Sequence, residues 1–353
     1  MSHAKTNLTT ERSQQFRRWV EEYLPPSSHL ELRPLSGDAG FRSYYRVDGY
    51  QPACLAVDAP PQTEKNHAFC WVTSLLRRHG IHSPEVLHQD LERGFLIVED
   101  LGDTMYWPLL QESQRTRNNR HLDLYRDAEQ CLLVMARIPV EDARLSLYDE
   151  HKLQQEMDLF PDWYVEKLLG ITMNAAERAM LHNTNRLLVN NALEQPQVVV
   201  HRDFHCRNLM VVPDNNPGVI DFQDAVIGPV TYDLVSLYRD CYIQWPVADV
   251  KSWVGNYYQK CKSRGLLIEV DEATFQRWFD WMGLQRHIKV LGIFARLWLR
   301  DGKAGYLKDL PLVMHYTISV ASQYQEFQPF VTWFEKKLLP VASQQEWYRV
   351  YTS

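Results

Sequence analysis

The sequence predicts an α+β protein with two lobes, a small N-terminal lobe built around an antiparallel sheet and a larger, mostly helical C-terminal lobe. Short apolar and aromatic runs separated by turn residues are concentrated before residue 100, and helically spaced apolar residues dominate after it. The length of 353 residues also suits about two domains. We therefore predict an N-terminal lobe at residues 1–100 and a C-terminal lobe at residues 101–353.

The N-terminal lobe is predicted to begin with a helix. One face of this helix is marked by Phe16, Val20, Tyr23 and Leu24, and Pro25-Pro26 ends the pattern because proline cannot continue a helix. The remaining elements of this lobe follow from the same two periodicities: three strands within residues 30–57, a helix over Phe69, Val72 and Leu76 that ends at Gly80, and a strand at residues 95–98.

Helices dominate the predicted C-terminal lobe. Leu124, Ala128, Cys131, Leu132 and Met135 recur at the spacing of one buried helix face. The same spacing predicts further helices near residues 180–188, 231–244, 250–264, 271–300 and 311–338.

A polar segment lies among predicted strands within this helical region. Three short apolar runs favour strands, and a turn rich in proline and asparagine joins the last two into a hairpin; the runs are residues 198–200, 209–212 and 218–220. Asp203 and Asn208 lie in the loop before the hairpin, and Asp221 follows its second strand. We expect this arrangement to bring the polar side chains to one site.

The residue types and their spacing are typical of kinases. Asn208 comes five residues after Asp203 in the sequence H-R-D-F-H-C-R-N, and Asp221, followed by phenylalanine, comes eighteen residues after Asp203. Phosphoryl transfer needs one carboxylate beside the acceptor hydroxyl, and it needs hard oxygen ligands for Mg²⁺. We predict Asp203 as the catalytic base, Asn208 and Asp221 as magnesium ligands, and ATP as the phosphoryl donor. The pattern implies a bilobal protein-kinase-like fold.

Two segments of the N-terminal lobe are candidates for nucleotide binding. A glycine-containing loop between the first strands can present backbone N–H groups to phosphate, although an ordinary hairpin turn has the same composition. The segment after the last strand can bond an adenine edge, or it can be a plain strand-to-helix connection. The candidate residues are Ser36, Gly37, Gly40, Arg42, Arg46, Glu99 and Leu101.

One residue departs from the kinase pattern. Kinases carry a lysine on the third strand that pairs with the nucleotide phosphates, whereas here the strand ends in Asp58. Arg42, Arg46 and Lys65 are the nearest basic residues that can replace it, and an arginine fork suits phosphate well.

Three segments together resemble the aminoglycoside phosphotransferase and choline kinase-like superfamily. They are residues 201–208 (HRDFHCRN), 220–224 (IDFQD) and 228–234 (GPVTYDL). His205 stands where protein kinases usually carry lysine, so the resemblance implies a small-molecule acceptor. We assign His205, Arg207 and Asp224 to the acceptor site, whereas Asp233 suits a structural role, either capping its helix or bracing the catalytic loop.

Within that superfamily, the sequence is similar to the sugar 1-kinases of bacterial cell-wall recycling. The segments that carry this similarity are residues 221–225 (DFQDA), 231–237 (TYDLVSL), 58–61 (DAPP) and 300–303 (RDGK). The resemblance implies phosphorylation of the anomeric hydroxyl of N-acetylmuramate and N-acetylglucosamine, with the product passed to a nucleotidyltransferase. The alternatives are a kinase for an aminoglycoside, choline or another alcohol, and a silent nucleotide-binding scaffold.

Composition narrows the class of protein further. The formal net charge of -6 argues against nucleic acid as a partner, and apolar runs are too short to span a membrane. The six cysteines form no C-x-x-C pair, which argues against a zinc site or a disulfide framework. We therefore expect a cytoplasmic enzyme that acts on small molecules.

Overall fold

The computed structural model describes residues 10–24, 31–35 and 41–351. The chain forms two compact units, one from residues 1–105 with 209–224 and the other from residues 106–208 with 225–353. The functional division predicted at residues 1–100 and 101–353 stays a prediction.

The described part of the chain contains nine strands and thirteen α-helices. The strands are β1 (Glu31–Leu35), β2 (Ser43–Asp48), β3 (Cys54–Asp58), β4 (Val86–Asp90), β5 (Phe95–Glu99), β6 (Gln197–Val200), β7 (Leu209–Met210), β8 (Gly218–Val219) and β9 (Val226–Pro229). The α-helices are α1 (Thr10–Tyr23), α2 (Asn66–Arg78), α3 (Tyr106–Thr116), α4 (Arg120–Met135), α5 (Val140–Ala143), α6 (Glu150–Met157), α7 (Ala175–Leu193), α8 (Tyr232–Tyr238), α9 (Val247–Ser263), α10 (Glu272–Asp301), α11 (Leu310–Ala321), α12 (Gln328–Trp333) and α13 (Leu339–Ala342).

The first unit is built on a five-stranded antiparallel sheet in the order β1-β2-β3-β5-β4. The three strands predicted within residues 30–57 and the strand at residues 95–98 are confirmed. Sequence reasoning missed β4, because Val86–Asp90 contains three polar residues and has no buried residue. A register shift between Val86 and His88 also interrupts the pairing of β4 with β5, so the regular two-residue alternation of a strand is disturbed.

Helix α1, which the apolar stripe predicted, packs on one face of this sheet, although Tyr23 of that stripe is exposed. Phe16, Trp19 and Val20 are buried in one cluster with Phe95 and Ile97 of β5. Burying a large apolar side chain contributes about 1.5–3 kcal/mol, so this cluster holds the helix to the sheet.

Asp58, the residue at the position of the kinase lysine, is an internal ion-pair partner of α1. Its side chain is 1% exposed, and Arg12 Nη2 donates to Asp58 Oδ1 at 2.5 Å. Arg12 Nη2 also donates to the backbone oxygen of Arg93 at 2.9 Å. Burial raises the pKa of Asp58, and Arg12 opposes that rise. The aspartate therefore fastens the first helix to the third strand.

The short hairpin β7–β8 belongs to the first unit, and its predicted pairing is confirmed. Leu209 pairs with Val219, and Met210 pairs with Gly218. A Cβ atom at Gly218 would lie 2.8 Å from Leu101 Cδ1, so a larger residue at this strand position would require the Leu101 side chain to move.

The second unit is organised around α10, a helix of 30 residues whose middle is buried. It packs against α7, α8, α11 and a π-helix at Phe160–Leu168. Gly292 permits a close approach to the start of the π-helix, since a Cβ there would lie 2.4 Å from the backbone carbon of Leu159. In the described residues, none of the helices has both the length and the apolar character of a membrane span.

Replacing Arg12 with alanine tests the role of Asp58. We expect Arg12→Ala to lower the free energy of unfolding by about 3 kcal/mol, because it leaves a buried carboxylate without its cation. The measurement is urea unfolding followed by circular dichroism. Arg33→Ala, which breaks the exposed pair with Asp48, is the control and should cost less than about 1 kcal/mol. Equal costs would contradict a structural role for the buried pair.

Candidate functional site

The loop at residues 201–208 begins where β6 ends. Val199 and Val200 are buried, and β6 pairs with β9 in antiparallel register. Arg202 has a φ of 78°, a left-handed conformation that is uncommon for a residue with a side chain and costs of order 1–3 kcal/mol. Such a turn persists only when its surroundings hold it in place.

Asp233 supplies much of that support. Its Oδ2 accepts a hydrogen bond from His201 N at 2.6 Å, and its Oδ1 accepts one from Arg202 N at 2.9 Å. The residue is 4% exposed, and burial raises its pKa to about 6 although His201 and the two backbone donors oppose the rise. The predicted bracing of the loop by Asp233 is confirmed.

Asp240 braces the second half of the loop in the same way. Its Oδ2 accepts a hydrogen bond from Cys206 N at 3.0 Å, and its Oδ1 accepts one from Tyr242 N at 3.0 Å. Asp240 is 1% exposed. Sequence reasoning missed this residue, because it belongs to no motif and its partner lies 34 positions away.

Asp203 presents a carboxylate between these two braces. Its side chain is 47% exposed, and Arg286 Nη1 of α10 lies 3.7 Å from Asp203 Oδ1. Partial desolvation favours the neutral acid, but the positive charges of Arg286 and Lys289 outweigh it and lower the pKa of Asp203 well below its ordinary value. The carboxylate is therefore ionised at neutral pH and able to accept a hydrogen bond from an acceptor hydroxyl.

Asn208 closes the loop through its own hydrogen bonds. Its Nδ2 donates to the backbone oxygen of Asp203 at 3.0 Å, and its backbone N donates to His205 O at 2.8 Å. The amide nitrogen is therefore directed at the loop. The amide oxygen, which is the atom that a hard cation prefers, lies on the opposite side of the same group.

A buried charged network lies beside Asp203. Arg202 and Lys289 both pair with Glu156, the lysine at 3.0 Å, and Tyr148 donates its hydroxyl hydrogen to the same carboxylate. Lys289 also donates to Tyr232 Oη at 2.9 Å. Burial raises the pKa of Glu156, but Lys289 and Arg202 outweigh it and lower the value, so the carboxylate stays ionised.

His205 and Arg207 point into an aromatic environment within the second unit. The Arg207 guanidinium lies 3.6 Å from the ring centroid of Tyr242 and 4.4 Å from that of Trp107. The His205 ring centroid is 5.3 Å from that of Tyr242. His205 Nδ1 and Arg207 Nε are buried and have no hydrogen-bond partner among the described residues. Burial lowers the pKa of His205, which favours the neutral imidazole.

Asp221 is positioned by the hairpin of the first unit. It follows β8 with a φ of 64°, and Gln223 Nε2 donates to its Oδ1 at 2.7 Å. Phe222 is fully buried, with its ring centroid 4.9 Å from that of Phe69 on α2. The buried ring of Phe222 fixes the turn, and the Asp221 carboxylate beside it is exposed.

The two candidate phosphate-binding arginines are paired with acids. Arg46 forms ion pairs with Asp100 and with both oxygens of Asp103, the latter at 2.8 Å. Arg42 lies 3.3 Å from Glu64 and stacks over the ring of Phe69 at 4.7 Å. Any phosphate bound by either arginine would compete with a carboxylate.

The other candidates in the first unit are held by different partners. Glu99 pairs with Arg77 at 2.9 Å and with His82 at 3.0 Å. Lys65, the third candidate for the missing lysine, pairs with Asp224 at 2.5 Å. Leu101 packs close to the Gly218 backbone, whereas Ser36, Gly37 and Gly40 lie outside the described residues.

The braced loop of the second unit carries an ionised aspartate and an asparagine amide, and the hairpin of the first unit is followed by an exposed aspartate; these are residue types that phosphotransferases use. Residues 31–265 match the model of the phosphotransferase enzyme family, and the chain belongs to that family.

Similar proteins agree with this membership. The N-acetylmuramate/N-acetylglucosamine kinase of Pseudomonas putida is 40% identical over 327 residues, which cover 89% of this chain and 93% of the relative. The kinase of the same name from Pseudomonas aeruginosa is 39% identical over 324 residues, which cover 89% of this chain and 94% of the relative. The ADP-bound crystal structure of aminoglycoside phosphotransferase APH(2'')-Ib is 15% identical, with a TM-score of 0.57 over 87% of this chain and 98% of that one. The predicted α+β, protein-kinase-like fold is confirmed.

Removal of the Asp233 carboxylate should destabilise the loop. We expect Asp233→Ala to lower the free energy of unfolding by about 3 kcal/mol or more, because two buried backbone donors lose their acceptor. Asp233→Asn keeps one acceptor oxygen, so its free energy of unfolding should lie between that of the alanine variant and that of the natural chain. Both are measured by chemical denaturation.

Asp249→Ala is the matched control, since Asp249 is an exposed aspartate in the first turn of α9. It should cost less than about 1 kcal/mol. If Asp233→Ala proved as mild as this control, Asp233 would not be a brace.

Proposed function

We propose that this protein is an ATP-dependent kinase that phosphorylates the anomeric 1-hydroxyl of N-acetylglucosamine and N-acetylmuramate. The main support is the loop at residues 201–208, where Asp233 and Asp240 hold the backbone and Arg286 keeps Asp203 ionised. The sugars follow from two relatives that are about 40% identical and are named as kinases of N-acetylmuramate and N-acetylglucosamine. The position of the phosphate on the sugar rests on the sequence resemblance.

Asp203 acts as the base in this proposal. Its half-exposed carboxylate accepts a hydrogen bond from the 1-hydroxyl, which directs the oxygen lone pair at the γ-phosphorus. As the new P–O bond forms, the hydroxyl proton passes to Asp203 and ADP leaves with the electrons of the broken bond. A carboxylate with a lowered pKa is a weak base, so its main contribution is to orient the hydroxyl.

Asn208 and Asp221 are the proposed ligands of Mg²⁺, which when bound neutralises charge on the nucleotide phosphates. Their chemistry fits the ion, because one supplies an amide oxygen and the other a carboxylate. The hydrogen bond from Asn208 Nδ2 to Asp203 O and the bond from Gln223 to Asp221 each orient the oxygen donor concerned.

The remaining assignments follow the two parts of the chain. ATP is proposed to bind the N-terminal part, residues 1–100, through Ser36, Gly37, Gly40, Arg42, Arg46, Glu99 and Leu101. The sugar is proposed to bind the part at residues 101–353, where the unpaired Nδ1 of His205 and Nε of Arg207 are available to hydroxyl or acetamido groups. Asp224, now paired with Lys65, is the third proposed sugar ligand.

The proposed reaction gives the protein a place in peptidoglycan recycling. A sugar 1-phosphate is the substrate that a nucleotidyltransferase requires, so we propose such an enzyme as the consumer of the product. The proposed location is the cytoplasm, because cysteines that remain free suit a reducing compartment.

A direct assay tests the function. With ATP and Mg²⁺, we expect phosphorylation of N-acetylglucosamine and N-acetylmuramate in preference to kanamycin or choline, and no turnover when EDTA removes the magnesium. The product should release phosphate in mild acid, because an anomeric phosphate is acid-labile and a 6-phosphate is not. Asp203→Asn should reduce kcat by at least about 100-fold while ATP binding persists.

Asp214→Asn is the matched control for that assay, because Asp214 is an exposed aspartate in the turn between β7 and β8. Its kcat should match that of the natural chain. Preferential turnover of kanamycin or choline would replace the proposed acceptor, and ATP binding without turnover of any acceptor would make the protein a silent scaffold.

The acid side of the pH profile tests how Arg286 acts. Arg286→Gln removes the cation that lowers the pKa of Asp203, so the pKa rises and the carboxylate becomes protonated at a higher pH. We expect kcat/KM for N-acetylglucosamine, measured between about pH 4 and 8, to fall at a higher pH in this variant than in the natural chain. Arg286→Lys keeps the charge and should restore the original profile; coincident profiles for the glutamine variant and the natural enzyme would exclude this electrostatic role.

A further inference from the structure

The hydroxyl of Tyr232 lies between the two buried cations of α10. Tyr232 is the first residue of α8, and its side chain is fully buried. Its Oη accepts a hydrogen bond from Lys289 Nζ at 2.9 Å and another from Arg286 Nη1 at 3.4 Å. The two cations are three positions apart and therefore lie on the same face of their helix. One neutral oxygen atom is thus the shared acceptor of two charged side chains.

The Arg286 guanidinium meets the loop at residues 201–208 through a single nitrogen. Its Nη1 donates to the backbone oxygen of Arg202 at 3.1 Å and lies 3.7 Å from Asp203 Oδ1. Its Nε is buried and has no hydrogen-bond partner among the described residues. The direction of the guanidinium therefore depends on the groups around Nη1. Tyr232 is the one among these groups that lies outside the loop.

Packing fixes the ring that carries this oxygen. The Tyr232 ring meets the Tyr148 ring edge to face, with the two centroids 5.4 Å apart. Lys289, the second donor to the hydroxyl, is held by Glu156 at 3.0 Å. Asp233, the next residue along the chain, accepts the backbone hydrogen bonds of the loop. The hydroxyl of Tyr232 is therefore set at a defined place relative to the loop.

We propose that Tyr232 is a positioning residue of the reaction, whose hydroxyl holds the Arg286 guanidinium against Asp203 and thereby fixes the direction of that carboxylate. The Asp203 side chain is 47% exposed, so it can occupy other rotamers unless a fixed partner selects one. The inference rests on the proposed function, in which Asp203 orients the 1-hydroxyl of the sugar. Tyr232 acts through Arg286 and does not touch the sugar.

Replacing Tyr232 with phenylalanine changes the position of a cation without changing the number of charges. The titratable groups around Asp203 and Tyr232 are Arg202 and His205 of the loop, Arg286 and Lys289 of α10, Tyr148 and Glu156 at α6, and Cys241. All of these groups remain in the phenylalanine variant. A change in the acid side of the pH profile therefore reports how closely the cation is held to Asp203.

Tyr232→Phe tests the proposal. We expect kcat for N-acetylglucosamine to fall at least about tenfold with KM for ATP unchanged, because a misplacement of about 1 Å can cost about 100-fold. The fall of kcat/KM in acid should move to higher pH, since a cation that is held less closely lowers the pKa of Asp203 less. Tyr258→Phe is the matched control, because it removes a buried hydroxyl that donates to Val270 O at 2.8 Å. It should change neither quantity.

Two further backgrounds show whether Tyr232 acts through Arg286. Adding Tyr232→Phe to Arg286→Gln should cause no further loss of kcat, because the cation that the hydroxyl positions is already absent. Adding it to Lys289→Met should again cost about tenfold, because there only Arg286 loses an acceptor. This last comparison also tests the proposal if Tyr232→Phe alone does not fold, since one of the two cations that depend on the hydroxyl has been removed.

The outcomes separate this inference from the proposed function. A Tyr232→Phe enzyme with the natural kcat and pH profile would overturn the inference, as would a tenfold loss that persists in the Arg286→Gln background. Both results would leave the kinase function intact. Failure of the natural enzyme to phosphorylate either sugar would instead overturn the proposed function. If kanamycin or choline were the acceptor, the same comparisons made with that acceptor would decide the role of Tyr232.

Discussion

The rest of the site depends on two hydrogen bonds to Asp233. They hold the backbone N–H groups of His201 and Arg202 at the point where the chain adopts a positive φ. That turn decides the direction in which Asp203 leaves the loop, and Asp240 then fixes the residues that follow. Both braces are carboxylates that accept backbone donors, and the Asn208 side chain adds a hydrogen bond to Asp203 O within the loop. The backbone that carries Asp203 is therefore held mainly by residues outside the loop.

The protein interior beside the loop at residues 201–208 contains charged side chains, whereas most protein interiors are apolar. Arg286 and Lys289 are buried in the middle of a long helix, and their partners are Asp203, Glu156 and the Tyr232 hydroxyl. Such a network is expensive to desolvate and is weak support for stability alone. Its contribution to the site is electrostatic, since Arg286 and Lys289 outweigh the effect of burial and lower the pKa of Asp203.

Local patterns were sufficient for most of the sheet and for the hairpin before Asp221, which its turn residues predict. Spacing alone identifies Asp203, Asn208 and Asp221 as the proposed catalytic and metal-binding residues. Asp240, Arg286 and Lys289 could not be found in this way. Apart from the local bond between Asp240 and Tyr242, their hydrogen-bond partners lie 34 to 84 positions away, and the two cations lie in the buried middle of a helix, where only tertiary contacts show what they bind. Strand β4 was missed because pairing, rather than its own composition, makes it a strand.

The ion pair between Arg12 and Asp58 also limits how the chain can be shortened. Helix α1 precedes every residue assigned to binding or chemistry, so deleting it looks harmless from the motifs alone. A deletion that removes Arg12, however, leaves the Asp58 carboxylate, which is 1% exposed, without its ion-pair partner. It also removes the helix that covers the aromatic cluster around Phe95. The first helix is therefore part of the minimal folding unit, and a trimmed version that begins at the first strand would be an aggregation-prone protein rather than a smaller enzyme.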